Sequence, residues 1–199
     1  MATAPIPATA DKLSDADYKA AADRIGCSVA AVKAVCAVES GPSGFFPNGE
    51  PKTLFEGHKF FLYTKGAHAQ SHPDLCYPKW TREYYGDTWA EEYDRLIRAV
   101  AIDRTAALMS ASWGRFQIMG FNYAACGFRS LDAFVTAMKE SEGRQLQAFV
   151  EYVVSSGLGD ELRDCRWKDF ARLYNGPAYA ANHYDTKLAD AYTKAGGGK

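Results

Sequence analysis

Before Gly41 and again after Trp89 the apolar residues recur at intervals of three and four, with no strict alternation long enough for a sheet, and this period commits most of the chain to helices. Tyr18, Ala21, Ala22 and Ile25 form the first stripe, opened by Ser14 as N-cap with Asp17 at the third helical position, and stopped by Gly26. Ser28 opens a second helix with Val32, Val35 and Cys36 on one face, ending at Gly41-Pro42. After Trp89, Tyr93, Leu96, Ile97, Val100 and Leu108 predict one helix that ends near Ser110. Ser130 caps another carrying Leu131, Phe134, Val135 and Met138, and Leu146, Phe149, Val150 and Val153 define the next, to about Gly157. Trp167, Phe170, Leu173 and Tyr174 run to Gly176, and Tyr184, Leu188 and Tyr192 make a last stripe.

Residues 41–87 break this pattern with Gly, Pro and aromatic residues. Thr53-Leu54-Phe55 reads as a short strand and His58 to Lys65 as a helical piece, inside a long loop-rich excursion of the kind that more often carries function than not. The expected fold class is therefore mainly α: a helical domain with a loop-rich lobe and at most a small β element. At 199 residues, without internal repeat or composition shift, one domain is expected over 13–195. The Ala-, Pro- and Thr-rich residues 1–12 read as a flexible arm and 196–199 as a flexible tail.

Composition narrows the function. A net charge of −1 gives no basic surface for nucleic acid or anionic membrane. No apolar run approaches the roughly 20 residues of a spanning helix, so stable membrane insertion is not expected. The N-terminus has neither a basic segment nor an apolar core of a secretory signal, and the product is expected in the cytosol unless something else carries it out. Five cysteines without a C-x-x-C pair read as reduced thiols. His68, His72 and Cys76 are spaced four apart, but Pro73 would break the helix that could make them metal ligands, so no metal is expected. Gly-x-Ser-x-Gly and phosphate-binding glycine loops are absent, and no cysteine has an activating neighbourhood.

One carboxylate stands out. Glu39 follows Val32, Val35 and Cys36 at i+7, on the stripe that should face the core, in the last turn of its helix. Burial and the negative end of the helix dipole both disfavour its anion and raise its pKa. A carboxyl kept protonated near neutral pH is what acid catalysis of glycosidic cleavage needs. The bland alternative is an exposed Glu whose helix has ended.

The segment AAVKAVCAVESG, residues 30 to 41, resembles the lysozyme-like superfamily that includes goose-type lysozymes and lytic transglycosylases, in which a helix ends in Glu-Ser and that Glu is the acid. Ser112-Trp113-Gly114-Arg115-Phe116-Gln117-Ile118 looks like its Gly-x-x-Gln segment and Tyr174-Asn175-Gly176 like its Tyr-Asn-x-Gly segment, in the same order. LFEGHKF at 54 to 60, SWGRFQIMG at 112 to 120 and FARLYNGPAYAANHYDTKLADAY at 170 to 192 extend the resemblance to the phage-type N-acetylmuramidase endolysins, over about Leu13 to Tyr192. Many members of that family carry a separate N-terminal peptidoglycan-binding module, which this chain starts too late to hold, so tight wall anchoring is not expected.

The resemblance implies a lysozyme-like fold and cleavage of the β-1,4 bond between N-acetylmuramic acid and N-acetylglucosamine in bacterial peptidoglycan. Glu39 would be the general acid, no cofactor would be required, and the protein would act as a monomer. It would wait in the host cytoplasm until another protein opens the membrane to periplasmic peptidoglycan. Gly114 would allow close approach of substrate or backbone, and Gln117, Tyr174 and Asn175 would position the sugar, with a turn, a helix cap and core packing as their bland alternatives. Trp113, Phe45, Phe46 and Trp80 are candidate stacking surfaces, each with packing as its alternative.

Glycosidases usually need a second carboxylate, about 5 Å away for a retaining nucleophile and roughly 6.5 to 9.5 Å for an inverting base. Glu56, flanked by apolar residues, is the first candidate, either activating water or paired with Arg115 or His58 as an orienting group. Glu50, in the turn Asn48-Gly49-Glu50-Pro51, is the poorer one. Without a second carboxylate in reach, a lytic transglycosylase forming 1,6-anhydro-muramic acid ends is the alternative. A non-catalytic glycan-binding domain and a structural or assembly protein are the readings from other classes.

Overall fold

A computed structural model describes residues 12–40 and 43–198. Residues 1–11 of the arm expected over 1–12, and the Gly41-Pro42 helix stop, lie outside the described residues. Helix α1 (Asp15–Ile25) is closed at its start by a reciprocal capping box between Ser14 and Asp17, and at its end by Gly26 at φ 81°. Ser28 Oγ accepts from Ala31 N at 3.1 Å at the head of α2 (Val29–Ser40), which buries Val32, Val35 and Cys36. Strand β1 (Thr53–Phe55) leads directly into α3 (Gly57–Thr64), as the spacing predicts.

The expected single helix from Trp89 to Ser110 is two. Helix α4 (Trp89–Ile102) stops at Asp103, whose backbone turns to φ −147°, ψ 100°, and whose carboxylate accepts from Ala106 N at 2.9 Å to start α5 (Arg104–Met109). Aspartate competes for the backbone in this way wherever it can cap, and here it redirects the chain so that Leu108 is buried while Ile97 is 54% exposed. Two strands follow that the sequence period does not mark, β2 (Ala111–Trp113) and β3 (Ile118–Met119), too short for alternation to register. The three strands form one antiparallel sheet in the order β1-β2-β3, with Thr53 opposite Trp113 and Trp113 opposite Ile118.

Helices α6 (Leu131–Glu140) and α7 (Glu142–Ser155) follow, capped by Ser130 and Ser141. The short α8 (Gly159–Arg163), which has no sequence period to announce it, leads to α9 (Trp167–Asn175) and α10 (Tyr184–Lys194). One core holds the helices together, built around the fully buried rings of Phe55, Phe60, Phe134, Phe149 and Phe170, with Leu162 and Leu188. Helix α10 packs along α2, and α7 packs on α1 and α6. Gly196 and Gly197, expected in a flexible tail, donate to Thr193 O and Tyr192 O at 3.1 and 3.0 Å and cap the end of α10. All five cysteines carry free thiols. Among the described residues no helix is long and apolar enough to cross a membrane.

Candidate active site

An open cleft of 280 Å³ is lined by Glu39, Phe46, Lys52, Thr53 and Gln117. The end of α2, the loop before β1 with the start of that strand, and the turn between β2 and β3 meet there. Glu39 leaves the last turn of α2 from the same stripe as Val32, Val35 and Cys36, as the spacing predicts. Burial pushes its carboxyl up from 4.5 to about 7, opposed only by a hydrogen bond from Asn175 Nδ2 to Glu39 Oε1 at 3.1 Å. Asn175, the last residue of α9, thus orients this carboxyl. Its other amide atom, Oδ1, is buried without a hydrogen-bond partner.

Tyr174 lies beneath the site, not in it. Its hydroxyl donates to Phe116 O at 3.0 Å, and its ring packs on those of Phe149, Tyr152 and Phe170. Burial first, and then the Glu39 charge, hold its phenol well above the usual range, so it stays neutral. Tyr184, at the start of α10, is raised by burial and by Glu39 as well, which brings a second phenol to the surroundings of that carboxyl.

The turn between β2 and β3 is shaped by two left-handed residues, Gly114 at φ 68° and Gln117 at φ 49°. A Cβ on Gly114 would meet Gln145 Cδ at 2.6 Å, so glycine serves close packing against α7 there. Gln117 is held in its unfavourable backbone by its own amide. Nε2 donates to Gly114 O at 2.9 Å and to Lys52 O at 3.3 Å, and Oε1 accepts from Ser112 Oγ at 2.8 Å. Both donor hydrogens are engaged, which leaves one acceptor lone pair on Oε1 for a ligand in the cleft.

Trp113 is not a stacking surface. It is 2% exposed, in the middle of the sheet's core face, and its indole N–H donates to Leu108 O at 3.2 Å, so no ring face is open to a sugar. Glu56 does not line the Glu39 cleft either. Its Oε2 accepts from Tyr85 Oη at 2.6 Å and lies 3.3 Å from His58 Nδ1, which matches the orienting alternative rather than attack on the cleft. Glu50 accepts from Tyr93 Oη at 2.6 Å and pairs with Lys139 at 3.2 Å. Among the described residues, Glu39 is the one carboxylate in the lining of this cleft.

Behind the cleft, a buried network ties its walls together. Arg115 donates to Glu142 Oε2 at 2.9 Å and to Cys36 O, in the last turns of α2, at 3.4 Å. The other Glu142 oxygen accepts from Gly44 N at 2.7 Å, and Gln145 Oε1 accepts from Arg115 N at 2.6 Å. Sequence reasoning did not single out Lys52, Thr53, Glu142 or Gln145. Lys52 and Thr53 come to the same cleft as Glu39 only in the tertiary structure, and although 53–55 reads as a strand, no local pattern marks either residue as part of a site. Glu142 and Gln145 look like ordinary polar positions of α7, at the head of the helix where an acidic residue suits the dipole.

The sequence model of the N-acetylmuramidase family matches residues 28–196 of the chain. The fold superposes on the crystal structure of Burkholderia AP3 phage endolysin with a TM-score of 0.84 and 44% identity, covering 92% of this chain and 71% of that one. Among curated proteins none matches.

Proposed function

The chain belongs to the N-acetylmuramidase family of phage endolysins, glycoside hydrolases that act on peptidoglycan, and from that premise we propose that it cuts the β-1,4 bond between N-acetylmuramic acid and N-acetylglucosamine with Glu39 as the general acid. The observation that carries this reading is the carboxyl of Glu39, raised by burial to about 7 at the edge of an open cleft and oriented by Asn175. Such an acid is still about half protonated at neutral pH and can give its proton to the leaving glycosidic oxygen as charge develops at the anomeric carbon. Asn175 keeps the carboxyl directed while it is ionised after transfer. Gln117 offers its remaining acceptor to a sugar hydroxyl or acetamido N–H, and Tyr174 stiffens the floor.

On this reading the protein acts as a monomer. It reaches periplasmic peptidoglycan from the host cytoplasm only after another protein has opened the membrane. Water completes the reaction, activated or oriented from the opposite face of the sugar. One observation favours a second reading of that last step: the lining of the cleft supplies a single carboxylate. A lytic transglycosylase needs no more, since the C6 hydroxyl of the muramic acid closes on the anomeric carbon in place of water.

Mass spectrometry of fragments released from purified peptidoglycan, before and after borohydride reduction, separates the two. Reducible muramic acid termini are expected; anhydro termini would replace hydrolysis by transglycosylation and leave Glu39 as the acid. Release of no fragments at all would overturn both.

The pH profile tests the acid independently. With a folded-state value of about 7, kcat/KM should fall tenfold per pH unit on the alkaline side of pH 7, because the proton to be donated is lost there. A profile flat from pH 6 to pH 9 would remove Glu39 from the acid's role. Replacing Asn175 with Ala deletes the one hydrogen bond that lowers the carboxyl's pKa, so the alkaline limb should move to higher pH.

A further inference from the structure

The substrate is a polymer, so sugars flanking the scissile bond must lie beyond the cleft that holds Glu39, and the aromatic residues around it bear on where they go. Phe46 lines the cleft and stacks on Trp89 with ring centroids 5.2 Å apart and planes 25° from parallel. Trp89 begins α4 and remains 40% exposed. The other tryptophans differ: Trp113 is in the core, Trp167 packs on Tyr192 at 5.1 Å, and Trp80, 60% exposed, has no ring stacked on it among the described residues. Among the described residues, only at Trp89 does an exposed indole continue, through a stacked neighbour, the lining of the Glu39 cleft.

This shelf is rigid. Residues 44–52 form a narrow hairpin, with Lys52 N donating to Gly44 O at 2.9 Å, Phe46 N to Glu50 O at 2.8 Å, and a bridge between Phe45 and Pro51. Tyr93, one turn along α4 from Trp89, donates to Glu50 Oε2 at 2.6 Å, and Lys139 on α6 pairs with the same oxygen at 3.2 Å. Two adjacent ties, one aromatic and one polar, therefore fix the hairpin to α4. A preorganised flat surface of this kind loses little entropy on binding.

We propose that the Phe46–Trp89 pair is a saccharide-binding subsite, on which one sugar of the glycan strand lays the C–H face of its ring against the exposed indole. The chemistry is matched. A β-linked pyranose with equatorial substituents presents axial C–H groups on its faces, and the negative face of an indole attracts them while both apolar surfaces leave water. The proposal rests on the reading of the Glu39 cleft as the muramidase site.

The test pairs Trp89→Ala with the conservative Trp89→Phe, which retains packing on Phe46. With peptidoglycan as substrate, Trp89→Ala should raise KM about tenfold, as loss of one aromatic contact does, and change kcat by less than about twofold, with Trp89→Phe between it and wild type. In a Glu39→Gln background, so that nothing is cleaved, titration with the soluble hexamer of N-acetylglucosamine should perturb tryptophan emission, and Trp89→Phe should abolish that perturbation. If KM stays within about twofold in both variants and the emission change survives Trp89→Phe, the subsite is wrong while the acid assignment stands. If the wild-type protein neither binds the hexamer nor releases fragments from peptidoglycan, the muramidase reading of the cleft falls and the subsite falls with it. Should Trp89→Ala fail to fold, the Trp89→Phe emission and KM measurements decide alone.

Discussion

Glu39→Gln is expected to lower kcat on peptidoglycan by about 10²- to 10⁴-fold, the usual contribution of a positioned general acid. Glutamine keeps the shape and still accepts the hydrogen bond from Asn175, so the loss isolates the proton. Retention of more than about a tenth of the wild-type rate would sink the assignment. The same substitution has a signed effect on stability. A carboxyl whose folded-state pKa is raised from 4.5 to about 7 is protonated in both states at low pH and costs nothing there. As pH rises through that interval the unfolded chain ionises freely and the folded one resists, so the wild type loses stability, by about 3 kcal/mol once pH exceeds 7. Glu39→Gln should therefore be more stable than wild type at pH 8 and equal to it at pH 4, a difference visible in thermal melts at the two values.

Glu142→Ala should produce the largest loss of stability. It removes the acceptor of both Arg115 and Gly44 N–H, and leaves a guanidinium 7% exposed without its carboxylate. Breaking a buried pair from one side costs about 3–5 kcal/mol, which for a domain of this size lowers Tm by about 10 °C. Activity should fall further than the folded fraction does, since Arg115 also holds Cys36 O near the end of α2 and Gly44 opens the hairpin that carries Phe46. A Tm within about 2 °C of wild type would show that the network is dispensable.

The helices were largely legible in the sequence because their determinants are local. Ser14 with Asp17, Ser28, Ser130 and the apolar stripes each act over one or two turns, and the structure keeps them. The exception at Asp103 is instructive: the stripe of Tyr93, Leu96 and Val100 continues in register to Leu108, and a single capping side chain overrides it. The short strands β2 and β3 left no period to read. They exist because Gly114 and Gln117 adopt left-handed backbone and because β1, some 60 residues earlier in the chain by the pairing of Thr53 with Trp113, offers an edge.

For the site, the sequence by itself determined that Glu39 would stand on the buried stripe of α2, since helical geometry alone places i+7 on the same face as i. Which groups surround it was decided by the tertiary structure. Asn175 reaches Glu39 across 136 residues of sequence, and Lys52 and Thr53 meet Gln117 in the cleft through the pairing of β1 with strands that left no period to read. Trp113 and Glu56 show the converse. Residue type suggested a sugar platform and a second carboxylate, but strand pairing turned the indole into the core, and Tyr85 and His58 took the carboxylate. A local pattern fixes the direction of a side chain relative to its own helix or strand; what that side chain meets depends on contacts between distant segments, which form only when the whole core closes.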